Sequence, residues 1–162
     1  MADIDSNITT VMTANPIVTH PRATIAEVAR IMADNRISGL PVVEDGFLVG
    51  IVTETDLVSQ EIEVDVPVYG TFLDAIFRLP WDDSKDELRR VLAASVGELM
   101  TSDVETLPLD ATVQDAASLM FKRKVNLVPV VDADGRVVGI VSRSNIVRLI
   151  ADAGAAEPPT RD

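Results

Sequence analysis

The chain has 162 residues, of which 47% are hydrophobic, and its 26 acidic and 14 basic side chains give a formal net charge of −12 at pH 7. Charge of this sign repels phosphodiester backbones and anionic lipids, which argues against duplex nucleic acid or a membrane as the main partner. The absence of cysteine excludes disulfides, thiolate metal sites and a cysteine nucleophile.

The ends and the hydropathy of the chain predict a cytoplasmic protein. The acidic N-terminus, Met1 to Asp5, lacks the apolar core of a secretory signal. No apolar run approaches the roughly 20 residues that a membrane-spanning helix requires. Abundant aspartate with scarce lysine is also typical of halophilic proteins. An ordinary acidic protein from a GC-rich genome, which favours arginine over lysine, would show the same pattern, and both interpretations stay open.

The first half of the chain predicts a short strand, a helix, a hairpin and a second helix. Thr24 opens a capping box, and apolar residues follow it at helical spacing. The valine-rich runs Leu40 to Val43 and Phe47 to Val52 are joined through Asp45-Gly46, which indicates a β-hairpin. A second helix is predicted to start at Thr53.

Residues 59–95 predict a structured insert. Most of the aromatic residues of the chain lie there: Tyr69, Phe72, Phe77 and Trp81. Disordered linkers are poor in aromatic residues. Ser84 to Glu87 has the form of a capping box and predicts a helix. Two interpretations remain open, a structured extension that packs on the rest of the molecule or across a dimer, and a lid or specificity element over a ligand cleft.

The second half predicts the same elements in the same order. Thr112 opens a helix, and Leu127 to Val131 and Arg136 to Val141 form the strands of a hairpin. Another helix is predicted to start at Ser142. The tail 155–162 contains two consecutive prolines and is predicted to be disordered.

The two halves are copies of one unit, repeat 1 at 6–58 and repeat 2 at 96–150. They align with one extra residue in the second hairpin. The matches include Met12-Thr13 with Met100-Thr101, Pro41-Val42-Val43 with Pro129-Val130-Val131, and Gly50-Ile51-Val52 with Gly139-Ile140-Val141. The predicted fold class is therefore α/β (α+β), with two pseudo-symmetric β-α-β-β-α repeats.

Each repeat places a hydroxyl residue where its last strand meets a helix, in Thr53-x-x-Asp56 and Ser142-x-x-Asn145. A helix N-terminus favours an anion such as a phosphate. A carboxylate one turn along can accept hydrogen bonds from both hydroxyls of a ribose. The motif therefore suits a nucleotide, although Thr-x-x-Asp is also an ordinary helix N-cap. Asn145 is neutral, so the two sites need not be equal.

Together these motifs resemble a tandem pair of CBS domains, the module named after cystathionine β-synthase. The matching segments are Val11 to Thr13, Ile37 to Val43 and Gly50 to Asp56 in the first copy, and Leu99 to Thr101, Val125 to Val131 and Gly139 to Asn145 in the second. The insert lies outside the pattern, although some small archaeal CBS proteins are similar in carrying an aromatic-rich segment there.

The resemblance implies a stand-alone regulatory pair of the archaeal type. In such pairs the repeats pack through their sheets, two clefts are related by a pseudo-twofold axis, and two pairs form a homodimer. The clefts bind AMP, ADP, ATP or S-adenosylmethionine, which serves energy sensing and signal transduction. We expect no effector domain on this chain, so the resemblance implies an unidentified effector protein as the partner.

The resemblance also implies roles for individual residues. In the first cleft Thr53 would bind the α-phosphate and Asp56 the ribose. The residues that would line its base pocket are Asn15, Pro16, Ile17, Ser38, Gly39, Leu40 and Pro41. The corresponding set for the second cleft is Asn126, Val128, Pro129, Ser142, Arg143 and Asn145. Arg143 replaces Glu54 of the first copy, so we expect the second site to depend on phosphate contacts and the first on ribose.

The sequence predicts no catalytic residue and no metal site. His20 is the single histidine, and neither a phosphate loop nor a dinucleotide fingerprint is present. The predicted function is therefore ligand sensing without catalysis. Two alternatives are an interaction scaffold with no ligand, whose docking surface is the insert, and a sensor of Mg²⁺ bound by carboxylates near the clefts.

Overall fold

The computed structural model describes residues 3–58 and 91–155. The first repeat has a 3-10 helix at Ile8–Thr10, β1 at Thr13–Ala14, α1 at Ile25–Asn35, β2 at Gly39–Glu44, β3 at Phe47–Thr53 and α2 at Glu54–Val58. The second has α3 at Val96–Leu99, β4 at Leu107–Pro108, α4 at Val113–Arg123, β5 at Leu127–Val131, β6 at Val137–Ser142 and α5 at Arg143–Ala155. The predicted α/β architecture with two repeats is confirmed. Most of the predicted insert and nearly all of the predicted disordered tail lie outside the described residues.

Helices α1 and α4 have the same boundary signals. Thr24 caps α1 in a complete capping box with Glu27, and Thr112 does the same for α4 with Asp115. Each helix buries one apolar face. Both end at a residue in the left-handed region, which closes the last turn with backbone hydrogen bonds.

The hairpins turn at the two predicted glycines. Gly46 has a φ of 88° and Gly135 a φ of 82°. These values lie where a side chain is strained, which explains why glycine stands at the same place in both copies.

The strands of the second repeat belong to a four-stranded sheet in the order β1-β6-β5-β4. Strands β5 and β6 are antiparallel, β4 is parallel to β5, and β1 is antiparallel to β6. In the first repeat β2 and β3 form a two-stranded sheet. It is flanked by a parallel bridge from Thr19 to Val42 and an antiparallel bridge from Thr101 to Ile51, so both repeats have the same strand pattern.

The opening segment of each repeat, β1 in the first and Thr101 in the second, therefore pairs with the last strand of the other repeat. The chain forms two compact units, one of Met1–Ile17, Asp45–Val49 and Asp103–Asp162, and one of Val18–Glu44 and Gly50–Ser102. In the first unit, Thr13 lies opposite Ile140. In the second, Ile51 and Thr101 exchange two backbone hydrogen bonds of 2.9 Å.

Each unit has its own apolar core. Buried residues of the first unit include Ile8, Leu107, Ala111, Ala116, Met120, Val128, Val130 and Val141. Those of the second include Ile25, Val28, Met32, Leu40, Val42, Val52 and Val96. Within 3–58 and 91–155, none of the helices has both the length and the apolar character needed to cross a bilayer.

Candidate ligand-binding sites

The first candidate site is the junction where β3 ends and α2 begins. The carboxylate Oδ2 of Asp56 accepts hydrogen bonds from the backbone N–H of Thr53 at 2.7 Å and from its hydroxyl at 2.8 Å. The Asp56 N–H donates in return to the Thr53 Oγ1 at 3.4 Å. Both side chains are half-buried. The two residues predicted to bind phosphate and ribose therefore form a reciprocal cap at the start of the helix.

The second candidate site, between β6 and α5, has the same geometry with an amide. The Oδ1 of Asn145 accepts from the Ser142 N–H and from the Ser142 hydroxyl, both at 2.8 Å. The Asn145 N–H donates to the Ser142 Oγ at 3.3 Å. An asparagine thus keeps every capping contact that the aspartate makes. The cap does not require the charge of Asp56.

Each junction is hydrogen-bonded to the central segment of its repeat, the residues that lead into β2 in the first repeat and into β5 in the second. The N–H of Glu54 donates to the carbonyl of Ser38 at 2.9 Å, and the N–H of Arg143 donates to the carbonyl of Asn126 at 3.1 Å. Ser38 and Asn126 are exposed. These bonds bring the exposed residue of each central segment to the start of the helix, as expected for the rim of a cleft.

The other predicted site residues of each central segment are buried in the core. Gly39, Leu40 and Pro41 are buried in one repeat, and Val128 and Pro129 in the other. The buried side chains of Leu40 and Pro41, and of Val128 and Pro129, anchor these strands in the core. Contact with a ligand through this segment therefore falls to the exposed residue before each strand and to backbone groups.

The segment Asn15 to Ile17 belongs to the compact unit that contains most of the second repeat, whereas Thr53 and Asp56 belong to the other unit. Asn15 has a φ of 47°, and its N–H donates to the carbonyl of Val138 at 3.1 Å. Val138 lies near the start of β6 and Ser142 at its end. Within this unit, Asn15 is thus placed at the opposite end of β6 from Ser142.

The two junctions differ in charge. Glu54 follows the hydroxyl residue in the first and Arg143 in the second, and both side chains are exposed. Asn145 also stands in the second junction where Asp56 stands in the first. The first junction therefore carries two carboxylates, whereas the second carries one guanidinium and no carboxylate. In the two described stretches no cluster of three or more His, Asp or Glu side chains has the arrangement of a metal site.

Sequence reasoning missed the backbone bond that positions Ser38 beside Glu54. It also missed the contact between the opening segment of each repeat and the last strand of the other, in which Met100 lies against Gly50 and Met12 against Gly139. The recurrence of Met-Thr and Gly-Ile-Val in both copies was the available signal. That signal alone does not say which methionine faces which glycine.

A duplicated β-α-β-β-α unit, with one hydroxyl-capped helix after the last strand of each copy, defines the protein as a tandem-repeat α/β module. The CBS domain family matches residues 7–63 and 96–152. The chain belongs to this family and is a tandem pair of CBS domains.

Relatives include both archaeal and plant proteins. The uncharacterised protein MJ1426 of Methanocaldococcus jannaschii is 31% identical over 144 residues, which cover 83% of this chain and 86% of that protein. The chloroplastic CBS protein CBSX2 of Arabidopsis thaliana is 30% identical over 140 residues, and the aligned part spans 57% of it.

Two solved relatives hold adenosine-containing molecules. The CBS domain pair of protein MJ0100, in complex with 5′-methylthioadenosine and S-adenosyl-L-methionine, is 29% identical with a TM-score of 0.68, covering 91% of this chain and 98% of that one. CBSX2 in complex with AMP is 26% identical with a TM-score of 0.67, covering 91% and 98%.

Proposed function

We propose that this CBS pair is a regulatory module that binds an adenosine-containing ligand, AMP, ADP, ATP or S-adenosylmethionine, and signals its presence to a partner protein without catalysing a reaction. The observation that carries the proposal is the pair of hydroxyl-capped junctions, Thr53 with Asp56 and Ser142 with Asn145. The ligands held by the MJ0100 and CBSX2 pairs support an adenosine compound.

The chemistry of the first junction suits a ribose. Asp56 holds a half-buried carboxylate at the first turn of α2. An ionised carboxylate has two oxygens and about four acceptor sites, so it can accept from a ligand hydroxyl while it caps the helix. Thr53 offers its Oγ1 beside the carboxylate. In this proposal the first junction orients the sugar, and Asp56 carries most of its affinity.

The second junction suits a phosphate better than a ribose. Arg143 adds an exposed cation beside Ser142, and guanidinium groups bind phosphates in a bidentate geometry. Asn145 has no formal charge, and its hydrogen bonds to a diol are weaker than those of a carboxylate. We therefore propose unequal sites, the second of which depends on ligands with phosphate groups.

Signalling requires a ligand to favour one conformation over another. By linkage, a ligand shifts such an equilibrium only as far as it binds the two states differently. The proposed mechanism is closure of the two repeats on the ligand, which alters the surface presented to an effector protein. The ligand-dependent state would then be the one that the effector recognises.

One observation favours a second candidate, an interaction scaffold with no ligand. The side chains of each junction already satisfy one another as helix caps, so the motif has a structural use of its own. The two functions differ in one property, since only the sensor requires the charge of Asp56.

Calorimetric titration with AMP, ATP and S-adenosylmethionine tests the proposal, using Asp56→Asn and Asn145→Asp as matched variants. Because asparagine makes the same cap in the second repeat, Asp56→Asn should keep the fold, which circular dichroism would check. We expect it to weaken binding at least about tenfold, the effect of losing one charge-assisted hydrogen bond. Asn145→Asp should strengthen binding of a ligand that has a ribose and no phosphate.

The outcomes separate the candidates. Binding of one of the three ligands that falls in Asp56→Asn supports the sensor. No heat of binding for any of them with the wild-type chain, or an affinity that Asp56→Asn leaves unchanged, would reject it and favour the scaffold.

A further inference from the structure

One end of the sheet in the second repeat brings several elements to the junction of Ser142. Leu127 of β5 lies opposite Ser142 of β6, so β5 begins where β6 ends. Strand β4 runs parallel to β5, with Leu107 opposite Val130. Glu105 precedes the start of β4 by two residues and therefore lies at the same end of the sheet as the junction. All of these residues belong to one compact unit.

Helix α4 ends at this place too. Arg123 is its last residue, and the chain then reaches Asn126, whose carbonyl accepts the N–H of Arg143 at 3.1 Å. The Nε of Arg123 lies 3.0 Å from the Oε1 of Glu105. This ion pair joins the end of α4 to the segment that leads into β4, at the end of the sheet that carries the second candidate site.

The two repeats differ in charge at six aligned positions around this end of the sheet. In the second repeat four are cations and one is a carboxylate: Glu105, Lys122, Arg123, Lys124, Arg143 and Asn145. In the first repeat one is a cation and three are carboxylates: Ile17, Asp34, Asn35, Arg36, Glu54 and Asp56. The four cations of the second set are exposed, and the hairpin carboxylates Asp132 and Asp134 lie at the opposite end of β5 and β6. In a chain with a net charge of −12, such a local excess of cations favours an anion.

The fold does not require these cations. Lysine and arginine in the last turn of a helix complement its dipole, which is the ordinary reason for finding them there. Helix α1 has the same length as α4 and the same left-handed cap, and its last turn contains no basic residue. Lys122 aligns with Asp34 and Arg123 with Asn35. The positive charge at the end of α4 is therefore not needed to end the helix.

We propose that Arg123 and Lys124 extend the second junction into a site for a nucleotide with a di- or triphosphate chain. The inference rests on the proposed function, in which Ser142 and Arg143 hold the phosphate nearest the ribose. The cations at the end of α4 lie on the far side of Asn126 along the chain and receive the phosphates that follow. Guanidinium groups suit this role, because they donate two parallel hydrogen bonds to a phosphate.

Glu105 competes with such a ligand for Arg123. Its carboxylate occupies the guanidinium that a terminal phosphate would bind, so binding exchanges one ion pair for another. The side chain of Arg123 is 62% exposed and that of Glu105 is 35% exposed, and ion pairs this exposed contribute little to stability. A phosphate chain carries more charge than one carboxylate and can displace it. In the first repeat the aligned residues are Ile17 and Asn35, so cation and competitor occur together in one copy only.

The same charges give the two junctions different ligand preferences. AMP has a single phosphate and gains little from the end of α4, whereas ATP gains contacts with Arg123 and Lys124. At the aligned positions of the first repeat the carboxylates of Asp34 and Glu54 repel a phosphate chain. We therefore expect the second junction to prefer ATP to AMP and the first to have no such preference.

Two variants that break the same ion pair test this assignment. Arg123→Asn installs the residue of the first repeat, and Glu105→Gln removes the carboxylate at nearly constant shape. If the ion pair were purely structural, both variants would lose it equally and would change the affinity in the same direction. Under the proposal the directions are opposite, because one variant removes a cation and the other removes an anion. Arg30→Asn is the control, since it removes an exposed arginine of the other unit.

Calorimetric titration in EDTA compares ATP with AMP, with Asp56→Asn present throughout to weaken the first junction. We expect ATP to bind at least about tenfold more tightly than AMP, and Arg123→Asn to lower the affinity for ATP about tenfold, the effect of one charge-assisted hydrogen bond. Glu105→Gln should raise it about threefold, as removal of one like charge at short range in water predicts. The affinity for AMP should change by less than about twofold in both variants, and Arg30→Asn should leave both affinities unchanged, because distant exposed charges are screened.

The outcomes separate this inference from the proposed function. ATP affinities that move in the same direction in both variants, or ATP and AMP affinities that change by the same factor, would overturn the assignment and leave the proposed function in place. If neither nucleotide binds, the proposed function fails, and titration with inorganic tripolyphosphate decides the inference by itself. Tripolyphosphate binding that falls in Arg123→Asn and not in Arg30→Asn would support a phosphate site at the end of α4, and no binding would reject it.

Discussion

Gly50 of β3 lies so close to Met100 that a Cβ on this glycine would overlap the methionine Sδ and stand 2.9 Å from its Cγ. Gly139 of β6 has the same relation to Met12, whose Cγ would lie 3.1 Å from such a Cβ. The contact recurs because the opening segment of each repeat, which contains Met12 or Met100, pairs with the last strand of the other repeat. Glycine at these places is therefore a packing requirement.

The first prediction is that Gly50→Ala and Gly139→Ala each destabilise the fold. Overpacking of this kind costs about 1–3 kcal/mol. Gly154 in α5 is the matched control, because an added Cβ there meets nothing within 4 Å. Alanine exceeds glycine in helix propensity, so Gly154→Ala should be neutral or stabilise by up to about 1 kcal/mol. Urea unfolding measures all three free energies. A destabilisation no larger than that of the control would contradict the packing argument.

The second prediction concerns the caps. Thr53→Ala should cost about 1 kcal/mol of unfolding free energy, because an alanine cannot accept from the Asp56 N–H or donate to its carboxylate. Thr53→Ser keeps the hydroxyl and copies Ser142, so it should cost much less. Thermal unfolding of the two variants, in the absence of nucleotide, measures the difference. Equal losses in both variants would show that the methyl group of Thr53, and not its hydroxyl, stabilises this junction.

The third prediction is a dependence of stability on pH. Hydrogen bonds first from the backbone N–H and then from the side chain of Thr24 hold the pKa of Glu27 below its ordinary value. The same two groups of Thr112 lower the pKa of Asp115. A carboxyl with a depressed folded-state pKa contributes stability that is present above its unfolded pKa and is lost as the pH falls through the folded one.

Glu27→Gln and Asp115→Asn isolate these contributions, since neither variant can titrate there. We expect each variant to be less stable than the wild type at neutral pH, and the gap to close as the pH is lowered through the acidic range. Urea unfolding across that range measures the gap. A difference that stays constant with pH would mean that the charge of the capping carboxylate does not contribute.

The fourth prediction concerns the two hairpin turns. The Arg136 guanidinium carbon lies 4.9 Å from the centre of the Phe47 ring, within one compact unit. Exposed cation–π pairs contribute about 0.5–1 kcal/mol. A double-mutant cycle of Arg136→Ala and Phe47→Leu should give a coupling of that size. No coupling would show that the two turns lie together without an energetic contribution from the pair.

The parts of the fold that the sequence predicts correctly are those with local causes. Helix α1 starts after Thr24 and the hairpins turn at Gly46 and Gly135, because capping residues and positive φ angles are set by neighbours in the chain. Because the sequence is duplicated, the elements predicted in one half can be compared with those predicted in the other. This is why the order of strands and helices agrees with the prediction in both halves.

The parts that it does not predict depend on pairing between distant segments. Nothing local to Thr101 indicates that it pairs with Ile51, or that Asn15 joins the unit of Val138. At the candidate sites the motif predicts the right residue types, but only the structure brings the Ser38 carbonyl to the Glu54 N–H. The charge difference between the junctions is visible in the sequence, since it depends on residue identity alone.

The last prediction links the ligand to stability. A ligand that binds only the folded state stabilises it by RT ln(1 + [L]/Kd), which is about 2.7 kcal/mol at a concentration of 100 Kd. At the ligand concentration that gives this increase in the wild type, a tenfold weaker variant gains only about half as much. We therefore expect the ligand-induced rise in melting temperature to fall markedly in Asp56→Asn and to persist in Thr53→Ser, because serine keeps the hydroxyl. If both variants kept the full shift, the stabilising ligand would be binding away from the junction of Thr53 and Asp56.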